Sequence, residues 1–373
     1  MKRIKNTSSY KVSVTKESIA LVNKTLRSGW IGGDGPRVKE FEEDIGKVIE
    51  NPNVVALNSG TSALQLALRL AGVKEGEVIT TPMTCFATNA AIVLEGGIPI
   101  WADVDPESGN IDPEDIERKI TKHTKAIMVV DFGGVSSEID KINRIAKKFG
   151  IPVIEDAAQA LGSEYGGKPI GTHSDFVAFS FQATKIITTG DGGVLVCKRK
   201  KDVKRAKTLR WYGIDREQRV WGETFWEYPI SEVGYKMQMT DIAASIGLGQ
   251  IPYLLSRIAY RRKIAAIYDK ALSKSKSLKP QTILPDSKPN YWLYIVLCGS
   301  SENRSKLVKA LKKIGVEAVE AHRRNDIYPV FRKLTTGKLP GVDTFDKENI
   351  AIPIGQWVSI KKAKEIASIL EGF

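Results

Sequence analysis

The stretch IPVIEDAAQA (residues 151–160) begins as an apolar strand and ends in two acids, Glu155 and Asp156, before a run of mostly small residues. Burying a carboxylate at the end of a central strand costs free energy unless the carboxylate meets a positive partner. The protonated ring nitrogen of a cofactor is one such partner, and a metal ion or a salt bridge is the commoner one for a single acidic strand end. The stretch therefore predicts a charged site at Asp156 and leaves its partner open.

Further apolar runs surround this one and alternate with helical patterns through the first 250 residues. Such alternation is typical of a mainly parallel sheet covered on both faces, with ligand sites beyond the carboxyl ends of the strands. The sequence therefore predicts an α/β fold with a large, mostly parallel sheet domain over residues 1–250. The runs are VVALN (54–58), EVITT (77–81), IPIWADV (98–104), AIMVVDF (126–132), DFVAFSF (175–181) and GGVLVCK (192–198).

The pattern changes after about residue 250. One long helical pattern runs from about residue 240 to residue 274, and a single strand is predicted at 292–298. Helical patterns then follow at about 302–314 and 359–371. These elements predict a smaller C-terminal α/β domain over residues 251–373.

The segment NSGTS (58–62) joins a predicted strand to a predicted helix. Free backbone N–H groups and the helix dipole make such a corner a phosphate site, and Gly60 lets the backbone approach closely. Thr61 and Ser62 add hydroxyl donors. A plain helix N-cap is an equally good interpretation of this segment taken alone.

Lys185 ends the segment FSFQATK (179–185), shortly before the glycine-rich GDGG (190–193). A partly desolvated lysine has a lowered pKa and can form a Schiff base, although most lysines lie on the solvated surface. The order of the three signals is more specific than any one of them: Asp156 follows the NSGTS corner by about 95 residues, and Lys185 follows Asp156 by 29. A phosphate anchor, a partner for a pyridinium nitrogen and a Schiff-base lysine together predict pyridoxal 5′-phosphate (PLP).

The composition describes a globular chain with a basic excess. The 373 residues carry a formal net charge of +13, with 42% hydrophobic and 27% charged residues, which excludes a disordered or collagenous chain. Residues 251–373 hold 23 Lys and Arg against 11 Asp and Glu, so almost all of the excess lies there. No apolar run is long enough to span a bilayer, and the basic segment MKRIKNTSSY lacks the apolar part of a secretory signal. Three scattered cysteines fit a reducing cytoplasm and argue against a disulfide framework or a cysteine zinc site.

In these segments the chain resembles the DegT/DnrJ/StrS family, the sugar aminotransferases among the PLP enzymes of fold type I. The resemblance runs from about Trp30 to the C-terminus and is strongest up to residue 250. It implies an aspartate-aminotransferase-like fold and a homodimer whose active site lies at the subunit interface. The matching segments are NSGTSALQLA (58–67), IPIWADVDP (98–106), NID (110–112), IEDAAQA (154–160), FSFQATK (179–185), GDGG (190–193) and GYKMQMTD (234–241).

The resemblance implies a role for each matched residue. Lys185 forms the Schiff base with PLP, Asp156 pairs with the pyridine nitrogen, and Gln159 lies near the phenolic oxygen of the cofactor. The GYKMQMTD segment reaches across the dimer, so that Lys236 approaches the partner's cofactor phosphate. The residues implied to hold the phosphate within one subunit are Gly60, Thr61, Ser62 and Ser180.

Three positions depart from the family pattern. Lys236 stands where asparagine is usual, and a lysine can also bind phosphate. The aromatic residue that often covers the pyridine ring is matched by Cys85, with Phe86 next to it, so either residue is a candidate for that place. Asp131 stands where histidine is common, which predicts a difference in that part of the pocket.

The substrate contacts are less defined than the cofactor contacts. The cluster HRRND (322–326) supplies His322 at the edge of the pocket, with Arg323 and Arg324 suited to a diphosphate or carboxylate; a solvated turn is an equally good interpretation. Trp30 is expected to line the entrance. Aromatic residues crowd into 211–228, and packing across a dimer interface is the favoured interpretation for most of them.

The resemblance implies a cytoplasmic transaminase that moves an amino group from an amino acid, expected to be glutamate, to a nucleotide-linked keto-sugar in polysaccharide biosynthesis. PLP and its pyridoxamine form (PMP) would alternate as the carrier of that group. Sugar dehydratases of the family carry histidine at the lysine position, so Lys185 favours transamination over dehydration. A non-enzymatic regulator or nucleic-acid binder on the same scaffold is the other alternative, which the basic C-terminal region motivates.

Overall fold

The computed structural model describes residues 7–33, 35–332, 334 and 337–373. Its α-helices alternate with strands in the first half of the chain and dominate the second half. They are α1 (Lys16–Ser28), α2 (Pro36–Val48), α3 (Gly60–Leu70), α4 (Phe86–Leu94), α5 (Pro113–Lys119), α6 (Ile139–Phe149), α7 (Lys200–Leu209), α8 (Asp241–Leu248), α9 (Leu254–Leu272), α10 (Ser301–Lys313), α11 (Pro340–Glu348) and α12 (Ile360–Glu371).

The strands are two to seven residues long. They are β1 (Val54–Leu57), β2 (Glu77–Thr80), β3 (Ile98–Trp101), β4 (Thr124–Val130), β5 (Val153–Asp156), β6 (Glu164–Tyr165), β7 (Lys168–Pro169), β8 (Phe176–Ser180), β9 (Gly193–Cys197), β10 (Val220–Trp221), β11 (Trp226–Glu227), β12 (Lys279–Pro280), β13 (Ser287–Lys288), β14 (Tyr294–Leu297) and β15 (Asn349–Ile352).

Seven strands form the main sheet in the order β1-β9-β8-β5-β4-β2-β3. The pairs from β3 across to β8 are parallel, whereas β9 runs antiparallel to both of its neighbours. Its strands are rich in Val and Ile and nearly all buried, as expected for a sheet that helices cover on both faces. The predicted α/β fold with a large, mostly parallel sheet is confirmed.

The second half of the chain adds a three-stranded antiparallel sheet in the order β12-β14-β15. One hydrophobic core joins the two halves, since Phe41 and Phe179 of the first belong to the same cluster as Trp292 and Leu293 of the second. Residue Thr7, early in the chain, also contacts the second half, because its N–H donates to Gly315 O at 2.7 Å. The hydrophobic core therefore contains residues from both sides of position 250. The division into two domains at that position stays a prediction.

The fold places the carboxyl ends of β4, β5 and β8 next to one another. Asp156 is the last residue of β5, and Ser180 is the last residue of β8. Among the described residues, no helix combines the length and the apolar character that crossing a membrane requires.

Candidate active site

Lys185 lies in the turn that follows β8. Its Nζ stands 3.9 Å from the centre of the Trp292 ring, a distance at which the indole face attracts a cation. Burial lowers the pKa of Lys185 to about 8, and the charges of Asp156 and Cys85 oppose part of that shift. The amine can therefore take up and release a proton near neutral pH.

Trp292 is fixed by hydrogen bonds to three other segments. Its Nε1–H donates to Thr184 O at 3.1 Å, and its backbone N–H donates to Asn290 Oδ1 at 2.8 Å. Nη1 of the buried Arg261 donates to Trp292 O at 3.1 Å. The indole is thus a rigid wall beside Lys185.

Asp156 presents a buried carboxylate next to this lysine. Its Oδ2 accepts from Thr88 Oγ1 at 2.7 Å, and its Oδ1 accepts from Ala158 N–H at 3.1 Å. Burial raises the pKa of Asp156, whereas these two hydrogen bonds and the charge of Lys185 favour the ionised form. A carboxylate held in this way can stabilise a positive charge that is brought to it.

Gln159 and His322 meet beside the lysine. The Gln159 Oε1 accepts from Gly133 N–H at 2.8 Å, and Gln159 Nε2 lies 3.2 Å from His322 Nε2. Burial and the charge of Lys185 lower the pKa of His322 to about 3, so the ring is neutral. Since an amide nitrogen only donates, His322 Nε2 is the acceptor in this pair.

The corner before α3 is closely packed against the end of β8. Ser59 caps the helix by accepting from Ser62 N–H at 3.0 Å, and Ser62 Oγ donates to Asn58 Oδ1 at 2.6 Å. A Cβ on Gly60 would come within 2.9 Å of Ser180 Cβ. Thr61 lies half-buried in the first turn of the same helix. The structure therefore brings together all four residues that sequence analysis predicts for phosphate binding.

Cys85 and Phe86 diverge at the start of α4. Cys85 interacts electrostatically with Lys185 and with Tyr10, whose pKa burial and this contact raise to about 12. Phe86 packs edge-on against Tyr328, with ring centres 5.4 Å apart. Of the two candidates, Cys85 is the one that lies near the lysine.

The four remaining candidates lie in different surroundings. Arg324 is engaged by Asp326 at 2.7 Å and by Asp343, whereas Arg323 is exposed. The Lys236 Nζ donates to Gln238 Oε1 at 2.7 Å and lies 3.8 Å from the centre of the Trp211 ring. Trp30 is 57% exposed. Among the contacts of the described residues, none joins Trp30 or Lys236 to Lys185 within one chain.

Asn325 is a residue of this region that sequence analysis missed. Its backbone N–H donates to Pro82 O at 2.7 Å, and its Nδ2 donates to Thr84 O at 2.8 Å. Its Oδ1 accepts from Asn89 Nδ2 at 3.1 Å. Asn325 therefore ties the segment after His322 to residues 82–89, which carry Cys85 and Thr88. Nothing in the sequence distinguishes it from its polar neighbours.

Known proteins match nearly the whole length of this chain. The model of the DegT/DnrJ/EryC1/StrS aminotransferase family matches residues 12–371. The UDP-4-amino-4,6-dideoxy-N-acetyl-beta-L-altrosamine transaminase of Campylobacter jejuni is 34% identical over 365 residues, which cover 96% of this chain and 95% of that protein.

Two solved structures give the same result. The sugar aminotransferase CalS13 from Micromonospora echinospora superposes with a TM-score of 0.91 at 32% identity, covering 98% of this chain and 99% of that one. The PLP form of Spr1654 from Streptococcus pneumoniae superposes with a TM-score of 0.88 at 28% identity and covers 98% of both chains. Spr1654 is also known in a PMP form.

Proposed function

Because the chain belongs to the DegT/DnrJ/EryC1/StrS aminotransferase family and is a PLP-dependent sugar aminotransferase, we propose that it moves the amino group of glutamate to a nucleotide-linked keto-sugar. The observation that carries this proposal is the position of Lys185, which lies over the Trp292 ring, has its pKa lowered to about 8 and interacts electrostatically with the buried Asp156. The cytoplasm is its proposed location.

The residues of the site fit PLP. The lack of a side chain at Gly60 leaves a cradle between α3 and Ser180, where an added Cβ would lie 2.9 Å from Ser180 Cβ, and a helix N-terminus suits a phosphate. Asp156 would pair with the ring nitrogen, Gln159 would lie at the phenolic oxygen, and Lys185 would be the point of attachment. Gly60, Thr61, Ser62 and Ser180 would hold the phosphate, with Cys85 over the ring and Lys236 reaching the partner's phosphate.

When bound, PLP supplies an electron sink for the carbon next to the transferred nitrogen. The carboxyl group of Asp156, which accepts a hydrogen bond from Thr88 at 2.7 Å, would pair with the ring nitrogen and favour its protonated form. Lys185 Nζ would move the proton, since its lowered pKa lets the amine accept and return one. The neutral His322 holds Gln159 in place without adding charge beside the lysine.

The acceptor is proposed as a nucleotide-linked sugar because the Campylobacter jejuni relative is named for a UDP-linked amino sugar. The exposed Arg323 is the proposed contact for the diphosphate. Arg324 would act by holding this loop through Asp326 and Asp343. Trp30 would reach the substrate at the interface of a homodimer, since no contact joins it to Lys185 within the described part of one chain.

The test follows the amino group from donor to product. Purified protein saturated with PLP is expected to absorb visible light, and glutamate is expected to bleach that absorbance. A panel of nucleotide-linked keto-sugars with isotope-labelled glutamate should then yield an amino sugar that carries the label. Lys185→Ala should abolish the bleaching by glutamate and the formation of labelled amino sugar. Lys39→Ala, at an exposed position of α2, should change neither.

Two outcomes contradict the proposal. Turnover by Lys185→Ala would show that this lysine is not the proton carrier. A product that loses a hydroxyl group without gaining labelled nitrogen would assign the chain to dehydration.

A further inference from the structure

Two wholly buried acids, Asp131 and Glu155, lie behind the proposed site, and their side chains hydrogen-bond to Ser137 and Ser174 rather than to Lys185 or Asp156. Glu155 is paired with Val129 in the register of β4 and β5, and Asp131 stands two residues beyond Val129. Because side chains alternate along a strand, Asp131 and Glu155 share one face of the sheet, whereas Asp156 points to the other. Neither acid has a role in the reaction proposed above.

The hydrogen bonds of these acids leave one oxygen on each without a donor. Asp131 Oδ1 accepts from Ser137 N–H at 3.0 Å, and Glu155 Oε2 accepts from Ser174 Oγ at 2.7 Å. Asp131 Oδ2 and Glu155 Oε1 are buried and find no donor among the described residues. The two side chains interact electrostatically, since each affects the pKa of the other, and both lie on the same face of two neighbouring strands. One proton between them would satisfy both oxygens, whereas two facing carboxylates would repel in a buried site.

The surroundings indicate which acid holds that proton. Burial and the charge of Glu155 raise the pKa of Asp131 well above its usual range. The hydrogen bond from Ser174 and the charge of His173 favour ionised Glu155, although burial raises its pKa as well. The charge of Asp156, whose side chain lies on the opposite face of β5, also opposes ionisation of Asp131. Within the described ranges, no lysine or arginine forms an ion pair with either acid, and no group of three ligand side chains is arranged for a metal ion.

Asp131 begins the loop that reaches the proposed site. Its backbone N–H donates to Asp156 O at 3.2 Å, and its side chain closes the loop at Ser137. Between these two points, Gly133 N–H holds Gln159 Oε1 at 2.8 Å, and Gly133 O accepts from Leu293 N–H at 3.2 Å. The loop therefore touches Asp156, Gln159 and the segment that carries Trp292.

We propose that Asp131 is a positioning residue: it is a neutral acid that shares its proton with Glu155, and this shared proton fixes loop 131–137 and through it Gln159. The shared proton can be tested without cofactor or substrate. Its effect on the reaction rests on the proposed function, because only that function gives Gln159 a partner.

The first experiment measures thermal unfolding of the full chain against pH. An acid whose pKa is raised by folding binds its proton more tightly in the folded protein, so stability falls as the pH rises above the unfolded-state pKa of about 3.9. The asparagine side chain of the variant Asp131→Asn keeps an N–H donor toward Glu155 but cannot ionise, so the variant should not lose this stability as the pH rises. The Tm of Asp131→Asn relative to the wild type is therefore expected to rise by at least about 2 °C with increasing pH and then to level off.

Glu155→Gln places the N–H donor at position 155 and leaves Asp131 as the acceptor. Its Tm relative to the wild type should likewise rise with increasing pH. Glu138→Gln is the matched control, because Glu138 is exposed in the segment that follows the loop. A Tm difference for both Asp131→Asn and Glu155→Gln that does not vary with pH would overturn the shared proton, whether or not the chain proves to be an aminotransferase.

The second experiment tests positioning in the holoenzyme, well below the Tm of every variant. Asp131→Ala is expected to lower kcat by about tenfold with little change in the KM of the acceptor, because the loop loses its closure at Ser137. Asp131→Asn should restore kcat. Glu155→Ala serves if Asp131→Ala does not fold. A kcat equal to that of the wild type in the folded alanine variant would overturn positioning and leave only a contribution to stability.

Discussion

At the scale of single residues, the amine of Lys185 is subject to opposing influences. Burial destabilises its charged form, whereas the carboxylate of Asp156 and the face of Trp292 stabilise that form. Burial and the charges of Asp156 and Cys85 together give Lys185 a pKa of about 8. A change at any neighbour, including Trp292, should move this pKa in a direction that identifies the neighbour's contribution.

Trp292→Leu tests the contribution of the indole, because leucine keeps an apolar contact and removes the aromatic face. The pKa of Lys185 should fall by about 0.4 to 1.4 units, since a cation–π contact contributes ~0.5–2 kcal/mol and one pKa unit corresponds to about 1.4 kcal/mol. The measurement is the rate at which an amine-reactive reagent modifies Lys185 in the cofactor-free chain, followed as a function of pH. Trp292→Phe, which keeps an aromatic face, should show a smaller fall. A rise in the pKa would mean that Trp292 does not stabilise the ammonium form.

Residues in a recognisable local pattern could be predicted from the sequence, and residues that act across the fold could not. Asp156 ends a strand and Lys185 follows one, so each carries a local signal, and the structure brings them together. Trp292 precedes a strand as core residues commonly do, and nothing local indicates that it faces a lysine more than 100 residues earlier. Their roles toward PLP stay predictions until the substitutions are made.

At the scale of elements, residues 82–89 depend on a segment that follows them by more than 200 residues. Asn325 bonds to Pro82, Thr84 and Asn89, and Thr88 in the same stretch holds Asp156. The start of α4 is therefore placed by a contact between the two halves of the chain.

Asn325→Ala should lower the free energy of unfolding by about 1–3 kcal/mol, since the buried Thr84 O loses its donor and the buried Asn89 Nδ2 loses one of its two acceptors. Denaturant unfolding gives the free energy, and the affinity for PLP should fall with it because Asp156 loses its support through Thr88. Arg323→Ala, at the exposed position nearby, is the control and should leave unfolding unchanged. Equal stability of Asn325→Ala and the wild type would show that other contacts hold residues 82–89.

The boundaries of helices are predicted less well from the sequence than their presence. The single helix predicted from about 240 to 274 is two helices, α8 and α9, separated by a turn over Ile251–Tyr253. Pro252 lies in this turn, has no N–H group and signals a break that the apolar periodicity hides. The close packing of Gly249 against Ser18, where an added Cβ would lie 2.3 Å from Ser18 N, is a tertiary contact that no local pattern contains.

At the scale of the whole molecule, the hairpin of β10 and β11 leaves large apolar side chains in solvent. Trp221 is 64% exposed and Phe225 is 72% exposed, and Val233 beyond the hairpin is 80% exposed. Several exposed large apolar side chains in one short segment are typical of an interface. It supports the predicted homodimer, in which Lys236 would approach the partner's cofactor.

The double variant Trp221→Ser/Phe225→Ser should shift the chain from dimer to monomer and lower its activity, because both residues would lose a partner surface. Sedimentation velocity gives the oligomeric state, and circular dichroism checks that the fold is kept. Glu223→Gln, an exposed polar change in the same hairpin, should remain dimeric. If the double variant is an active dimer, the hairpin is not part of the interface.

The pairing of the chain's beginning with Gly315–Glu317 has a consequence for synthesis on the ribosome. Ser8 Oγ bonds to a carboxylate 309 residues further along, and Thr7 bonds on both sides of Val316. At about 5–20 residues per second, the first segment therefore waits roughly 15–60 s for its partner to be made. The last strand of the main sheet ends at Cys197, so a ribosome that stalls between residues 197 and 315 carries every strand of that sheet, while Thr7 and Ser8 have nothing to pair with.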